Sequence, residues 1–161
     1  MTSLFEFAPQ GRSDGRPLTA LTRVEQLIVW TLRHARAQPA AHGARRGEWA
    51  IAVRGFAAAA AAAGESVVAA LGARPGMVPA PLAARRTSAG EEAILDALAA
   101  VHANAPARFA AACAALGVVE DGAAADALTV FAVTIEAGGI RLAVPAGAWA
   151  QPAAAVARWI N

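Results

Sequence analysis

The chain has 161 residues, 57% of them hydrophobic, which excludes intrinsic disorder and leaves room for one domain with its own core; its single cysteine excludes an internal disulfide. Alanine makes up much of that fraction, so the larger apolar residues have to supply most of the core. The pI near 9.9 overstates the attraction to nucleic acid, because the net charge is only +2 and every cation is an arginine that does not titrate near neutrality.

The positive charge is concentrated at one end. Residues 1 to 56 carry Arg12, Arg16, Arg23, Arg33, Arg36, Arg45, Arg46 and Arg54 against Glu6, Asp14, Glu25 and Glu48, while the rest of the chain is slightly acidic. The opening MTSLFEFAPQGRSDGRP lacks the basic start and apolar run of a signal peptide. Residues 1–18 are expected to form a partly ordered arm and residues 19–161 a single helical domain. The absence of lysine beside abundant alanine and arginine fits a GC-rich coding sequence, and a bacterial cytoplasm is the expected setting.

The first strong helix is LTRVEQLIVWTLRHARA. Thr22 and Glu25 have the spacing of a capping box, Leu21, Val24, Leu27, Ile28, Leu32 and Ala35 share one apolar face, and Pro39 lies beyond its end. Trp30 points away from that face and shares a sector with Arg23, Gln26, Arg33 and His34, which together form the candidate interface because tryptophan and arginine are enriched at binding hot spots. The plainer alternative is that a neighbouring helix, or the arm with Leu4, Phe5 and Phe7, covers the tryptophan.

Seven consecutive alanines follow Phe56. Arg54 and Glu65 bracket too short an uncharged stretch to span a membrane, which takes about 20 apolar residues, and alanine has the highest helix propensity. The spacing predicts a helix from about Gly47 that places Trp49, Val53, Phe56, Ala60 and Ala63 on one face and stops at Gly64. Gly55, Ala58, Ala59 and Ala62 form a smooth side on which another helix can approach closely.

Further along, Ser88 and Glu91 form a second expected capping box ahead of Ile94, Leu98 and Val101, and Pro106 closes that helix. The pattern Ser/Thr-x-x-Glu-x-x-Ile-x-x-x-Leu therefore occurs twice, at Thr22 to Leu32 and at Ser88 to Leu98. Capped amphipathic helices share this grammar without being duplicates. Phe109, Ala112, Cys113 and Leu116 predict a helix ended by Gly117. Leu128, Phe131, Ala132 and Ile135 face one way and Val130 with Val133 another, predicting a helix buried from two directions and ended by Gly138 and Gly139. IRLAVP reads as a short strand, and PAAAVARWIN as a last helix packing Val156, Trp159 and Ile160. Pro9 to Pro17 and Arg74 to Arg86 are the expected long loops.

No motif specifies a chemistry. His34, His42 and His102 lie apart, Cys113 falls on an apolar helix face, and C-x-x-C, H-E-x-x-H, G-x-G-x-x-G, G-x-S-x-G and the Walker lysine are all missing, so no catalytic, metal or cofactor residues are assigned. His102 reads as a structural histidine. LTRVEQLIVW resembles the opening of bacterial helix-turn-helix domains over ten residues, which implies DNA binding. The sequence after it, HARAQPAAHGARRGEW, lacks the short turn and amphipathic recognition helix. A second helix–glycine–helix stretch, FAAACAALGVVEDGAAADALTVF, starts its second helix with acidic residues that repel phosphates.

The expected fold is therefore a single compact all-α domain of five to seven amphipathic helices around Trp49, Phe56, Leu98, Phe109, Phe131 and Trp159, with room for a minor two-strand ribbon between the arm and Ile140 to Val144. The expected function is a non-enzymatic interaction or regulatory module with a protein partner or a second copy, as a homodimer, and without membrane association. The alternative is a DNA-binding regulator using the arginines of the N-terminal third.

Overall fold

A computed structural model describes residues 15–37, 57–72 and 79–143. They form five α-helices: α1 (Arg23–Ala37), α2 (Ala57–Leu71), α3 (Ala89–His102), α4 (Pro106–Ala115) and α5 (Ala123–Ala137), preceded by a single 3-10 turn at Leu18–Ala20. The all-α class expected from the sequence is what the structure shows. No described helix is long and apolar enough to cross a membrane. The expected ribbon is not formed among the described residues: Ile140 to Ala143 have no regular structure, and the one β-type pairing is an isolated antiparallel bridge between Pro17 and Arg86.

Helix ends follow the chemistry written in the sequence. Thr22 and Glu25 make the reciprocal capping box of α1, with the Thr22 amide donating to the Glu25 carboxylate at 2.7 Å and the Glu25 amide to the Thr22 hydroxyl at 3.2 Å. Ser88 and Glu91 do the same for α3. At the other ends of α3, α4 and α5, Asn104, Gly117 and Gly139 adopt positive φ. In each case the amide two residues past the cap reaches back five residues to a helical carbonyl: Ala105 to Ala100, Val118 to Cys113, and Ile140 to Ile135. The last of these reversals carries Ile140 to Leu142 back toward α3.

The alanine helix departs from expectation at one point. It does not stop at Gly64 but runs on to Leu71 and ends at Gly72, whose φ is +64°. A glycine inside a helix costs about 1 kcal/mol relative to alanine, and packing explains why it is there. A Cβ at Gly64 would stand 2.8 Å from Thr31 Cγ2 on α1 and 3.4 Å from the Phe131 ring on α5. The close-packed side is accordingly Ala60, Ala61, Ala63, Gly64, Val67 and Leu71, whereas Ala58, Ala59 and Ala62, expected to provide it, are exposed. Gly47, Trp49, Val53, Gly55 and Phe56 lie outside the described residues.

Helix α5 differs as well. It packs on α2 and α3 through Leu128, Phe131, Ala132 and Ile135, all without solvent exposure, but Val130 and Val133 are 58% and 52% exposed rather than buried from a second direction. Leu98 is likewise fully buried in the expected core, and Phe109 partly so, while Trp159 and the expected last helix fall outside the described residues.

One plan occurs twice. In each half a capped helix, α1 or α3, packs against a later helix, α2 or α5, and the two later helices pack on each other. The repeated capping pattern places Ile28 and Leu32 in α1 as it places Ile94 and Leu98 in α3, and all four are fully buried. In α2, Ala60, Ala61, Gly64, Val67, Val68 and Leu71 have the spacing of Ala124, Ala125, Leu128, Phe131, Ala132 and Ile135 in α5. Of these twelve inward positions only Val68 is partly exposed.

Candidate functional site

Among the described residues, most of the buried polar side chains gather around α1, the start of α3 and the loop of residues 79–88. Arg33, on the third turn of α1, is buried with its guanidinium held on four sides. Its Nε donates to Glu91 Oε1 at 2.7 Å, Nη2 to Glu91 Oε2 at 2.9 Å and to the Arg86 carbonyl at 2.8 Å, and Nη1 to the Ala84 carbonyl at 2.7 Å. Glu91 also accepts from the Ala80 amide at 3.0 Å and from the Ser88 amide at 2.8 Å. Both side chains are 0% exposed. Such a pair offsets the cost of dehydration only because the fork of the guanidinium matches the carboxylate and the spare donors find carbonyls.

A second network straps residues 15–18 onto the same corner. Arg16 pairs with Glu92 through Nε at 3.0 Å and with Glu25 through Nη2 at 3.0 Å, and its backbone amide donates to Glu92 at 3.1 Å. The Thr87 hydroxyl donates to Glu92 as well. Backbone bonds run from Leu18 to the Arg85 carbonyl at 2.9 Å and from Thr87 to the Arg16 carbonyl at 3.0 Å. Gly15 permits this approach: a Cβ there would lie 2.1 Å from the Thr87 carbonyl oxygen. The hydrogen bond to Glu92 raises the Arg16 pKa, against the opposing effect of burial.

Burial pushes the Glu92 carboxyl up, but the hydrogen bonds from the Arg16 side chain, the Thr87 hydroxyl and the Arg16 amide outweigh it and hold the group below its ordinary 4.5. A folded-state value below the unfolded one gives stability that is present above the unfolded value and lost as pH falls through the folded one. The strap is therefore expected to hold at neutral pH and to loosen only under acid, below the ordinary carboxyl value of 4.5. Hydrogen exchange of the Leu18 and Thr87 amides against pH checks this, and Glu92→Gln should flatten the acid response. Loosening that begins near neutrality would contradict it.

The five candidate interface residues do not share one environment. Arg33 is withdrawn from the exposed sector into the pair with Glu91. Gln26 donates to the Leu21 carbonyl at 3.0 Å, extending the cap of α1. Arg23 is exposed. Trp30 and His34 are half-buried and stand together, ring centroids 6.2 Å apart, with the Arg33 guanidinium carbon 5.9 Å from the tryptophan ring. Within the sector Arg23 is exposed, and Trp30 and His34 are each partly accessible.

Two further groups are placed as their helix positions imply. Cys113 is 1% exposed, and burial, with the negative charge of Glu120 adding to it, pushes its thiol up, away from the nucleophilic thiolate. His102 is buried at the end of α3, with both ring nitrogens bonded to backbone. Among the described residues no three histidine, cysteine or acidic side chains stand close enough to hold a metal ion.

Reading the sequence alone missed the Arg33–Glu91 pair, because the pair spans 58 positions and each residue already had a local explanation, one as a surface cation and the other as a cap. The available signal was weak: Arg33 follows Leu32 directly and borders the apolar face. Fold and site together define an all-α protein with an ionic cluster at one corner. Comparison with protein families, with curated proteins and with solved structures finds no match for this chain.

Proposed function

We propose that this chain is a non-enzymatic helical interaction module of a regulatory kind, acting in the bacterial cytoplasm and associating with a second copy of itself through the Trp30 face of α1. One observation carries the reading. All five buried polar side chains among the described residues, Thr31, Arg33, Thr87, Glu91 and His102, are bonded within the fold. These five buried groups are committed to holding helices and loops together. On one sector of α1, Arg23 is exposed and Trp30 and His34 are half-buried, and a tryptophan beside cationic groups has the amphipathic character of a binding anchor.

Replacing Trp30 by alanine is expected to weaken association by about 2 kcal/mol or more, the scale of a hot-spot tryptophan, while helix content stays unchanged. Sedimentation equilibrium of both proteins beside a thermal melt reads the result. A wild-type chain that stays monomeric at high concentration, or a variant that melts early with its association intact, refutes the interface. Electrophoretic mobility shift with random and genomic DNA tests the alternative of a DNA-binding regulator. Of the arginines expected to contact phosphate there, Arg16 and Arg33 are held in carboxylate pairs and Arg23 and Arg36 are exposed. Retarded DNA, lost on replacing Arg23 and Arg36, would favour that reading over self-association.

A further inference from the structure

The His102 ring lies between α3, α5 and the chain just past α5, where 7% of the residue is exposed. Its Nδ1 is 2.9 Å from the Leu142 amide nitrogen and its Nε2 is 2.8 Å from the Ala132 carbonyl oxygen. A backbone amide can only donate and a carbonyl can only accept. Nδ1 must therefore carry the lone pair and Nε2 the hydrogen, so the two bonds together select one neutral tautomer.

That assignment has a chemical consequence. An imidazolium carries hydrogens on both nitrogens, so a second proton on His102 would set an N–H against the Leu142 N–H and leave that buried amide without its acceptor. The bond to Ala132 survives protonation, because Nε2 donates in either state. Only the tether to Leu142 is lost.

The surroundings make that tether count. Gly139, at φ +85°, turns the chain back toward α3, and Leu142 then buries its side chain to 8% exposure against the core. The charged groups on the elements around the ring are Asp96, Glu91 and Glu92 on α3, Arg108 on α4, Asp126 and Glu136 on α5, and Arg141 next to Leu142. Arg108 pairs with Asp96 at 2.6 Å and Arg141 with Glu136 at 2.6 Å. Glu91 and Glu92 are engaged at the far end of α3 by Arg33 and Arg16. The ring's own two bonds are to backbone.

We propose that His102 is a proton-operated latch: its neutral ring pins residues 140–143 to the α3–α5 surface, and its protonation releases that segment and uncovers Leu142 while the helices stay folded. The tether is present while Nδ1 carries its lone pair and is lost when that nitrogen takes a proton.

The test uses the full chain labelled with nitrogen-15. Two-bond proton–nitrogen correlation spectra report the tautomer and the protonation of His102, and amide exchange gives protection factors, corrected for intrinsic rates, from about pH 7.5 down to about pH 5. The expected result is the Nε2–H tautomer at the upper end, then a loss of Leu142 protection of about ten-fold or more as His102 takes its second proton. Leu98 and Phe131 should keep their protection throughout. In His102→Asn, whose side-chain oxygen is a non-titrating acceptor near the Nδ1 position, Leu142 protection should not follow pH. Four results would overturn the latch: an Nδ1–H tautomer, unchanged Leu142 protection through the titration, simultaneous loss at Leu98 and Phe131, or a ring that stays neutral until the protein unfolds. The wild-type series decides the matter even where the variant folds poorly.

Discussion

Replacing Arg33 by methionine is expected to destabilise the protein by about 3 to 5 kcal/mol, because it strands a carboxylate that has no access to water. The size follows from what the side chain holds. Glu91 is 0% exposed and loses both guanidinium bonds, and the carbonyls of Ala84 and Arg86 lose their donors at the same time. Methionine keeps much of the volume and nearly the helix propensity of arginine, so neither a large cavity nor a propensity change accounts for the loss. Urea unfolding followed by circular dichroism measures it. Adding Glu91→Leu should recover part of the stability, since an apolar pair need not be neutralised. Recovery will be incomplete because Glu91 also caps α3 and accepts from Ala80. A single variant within about 1 kcal/mol of wild type would mean that the pair is open to solvent, contrary to its burial.

Gly64→Leu is expected to cost about 3 kcal/mol, the upper range for overpacking a core, and to separate α2 from its two neighbours. The first carbon of the new side chain would already stand 2.8 Å from Thr31 Cγ2 and 3.4 Å from Phe131. Neither neighbour can give way freely. Thr31 is β-branched and its hydroxyl is bonded to the Leu27 carbonyl at 2.8 Å, while Phe131 is wholly buried. Leucine regains somewhat less than about 1 kcal/mol of helix propensity over glycine, far too little to offset the clash. Ser66, on the same helix but exposed, makes the control: Ser66→Leu adds a comparable side chain to a solvated face and should change stability by less than about 0.5 kcal/mol. Equal melting temperatures for the two variants would show that α2 does not pack tightly at Gly64.

Local chemistry was readable without the structure. Both capping boxes form between the residues expected, because the hydroxyl and the carboxylate lie three positions apart and bond the same helical turn. Periodicity alone placed Ile28, Leu32, Ile94, Leu98, Leu128, Phe131, Ala132 and Ile135 inside, and put Cys113 on a buried face. The alanine run was recognisable as helix because propensity is a property of each residue, independent of its neighbours in space.

What only the tertiary structure decided was which helix stands beside which. Gly64 reads as a helix end from local rules, and it is an internal contact because α1 and α5 both press on that turn. Val130 and Val133 have core chemistry, yet α5 is packed from one side only, so they stay in water. Arg33 has the sequence spacing of a surface residue and becomes a buried partner of Glu91 because the loop of residues 79–88 folds over it. In each case a residue's environment is set by elements tens of positions away, and the energy of that environment exceeds the fraction of a kcal/mol by which local preferences usually differ.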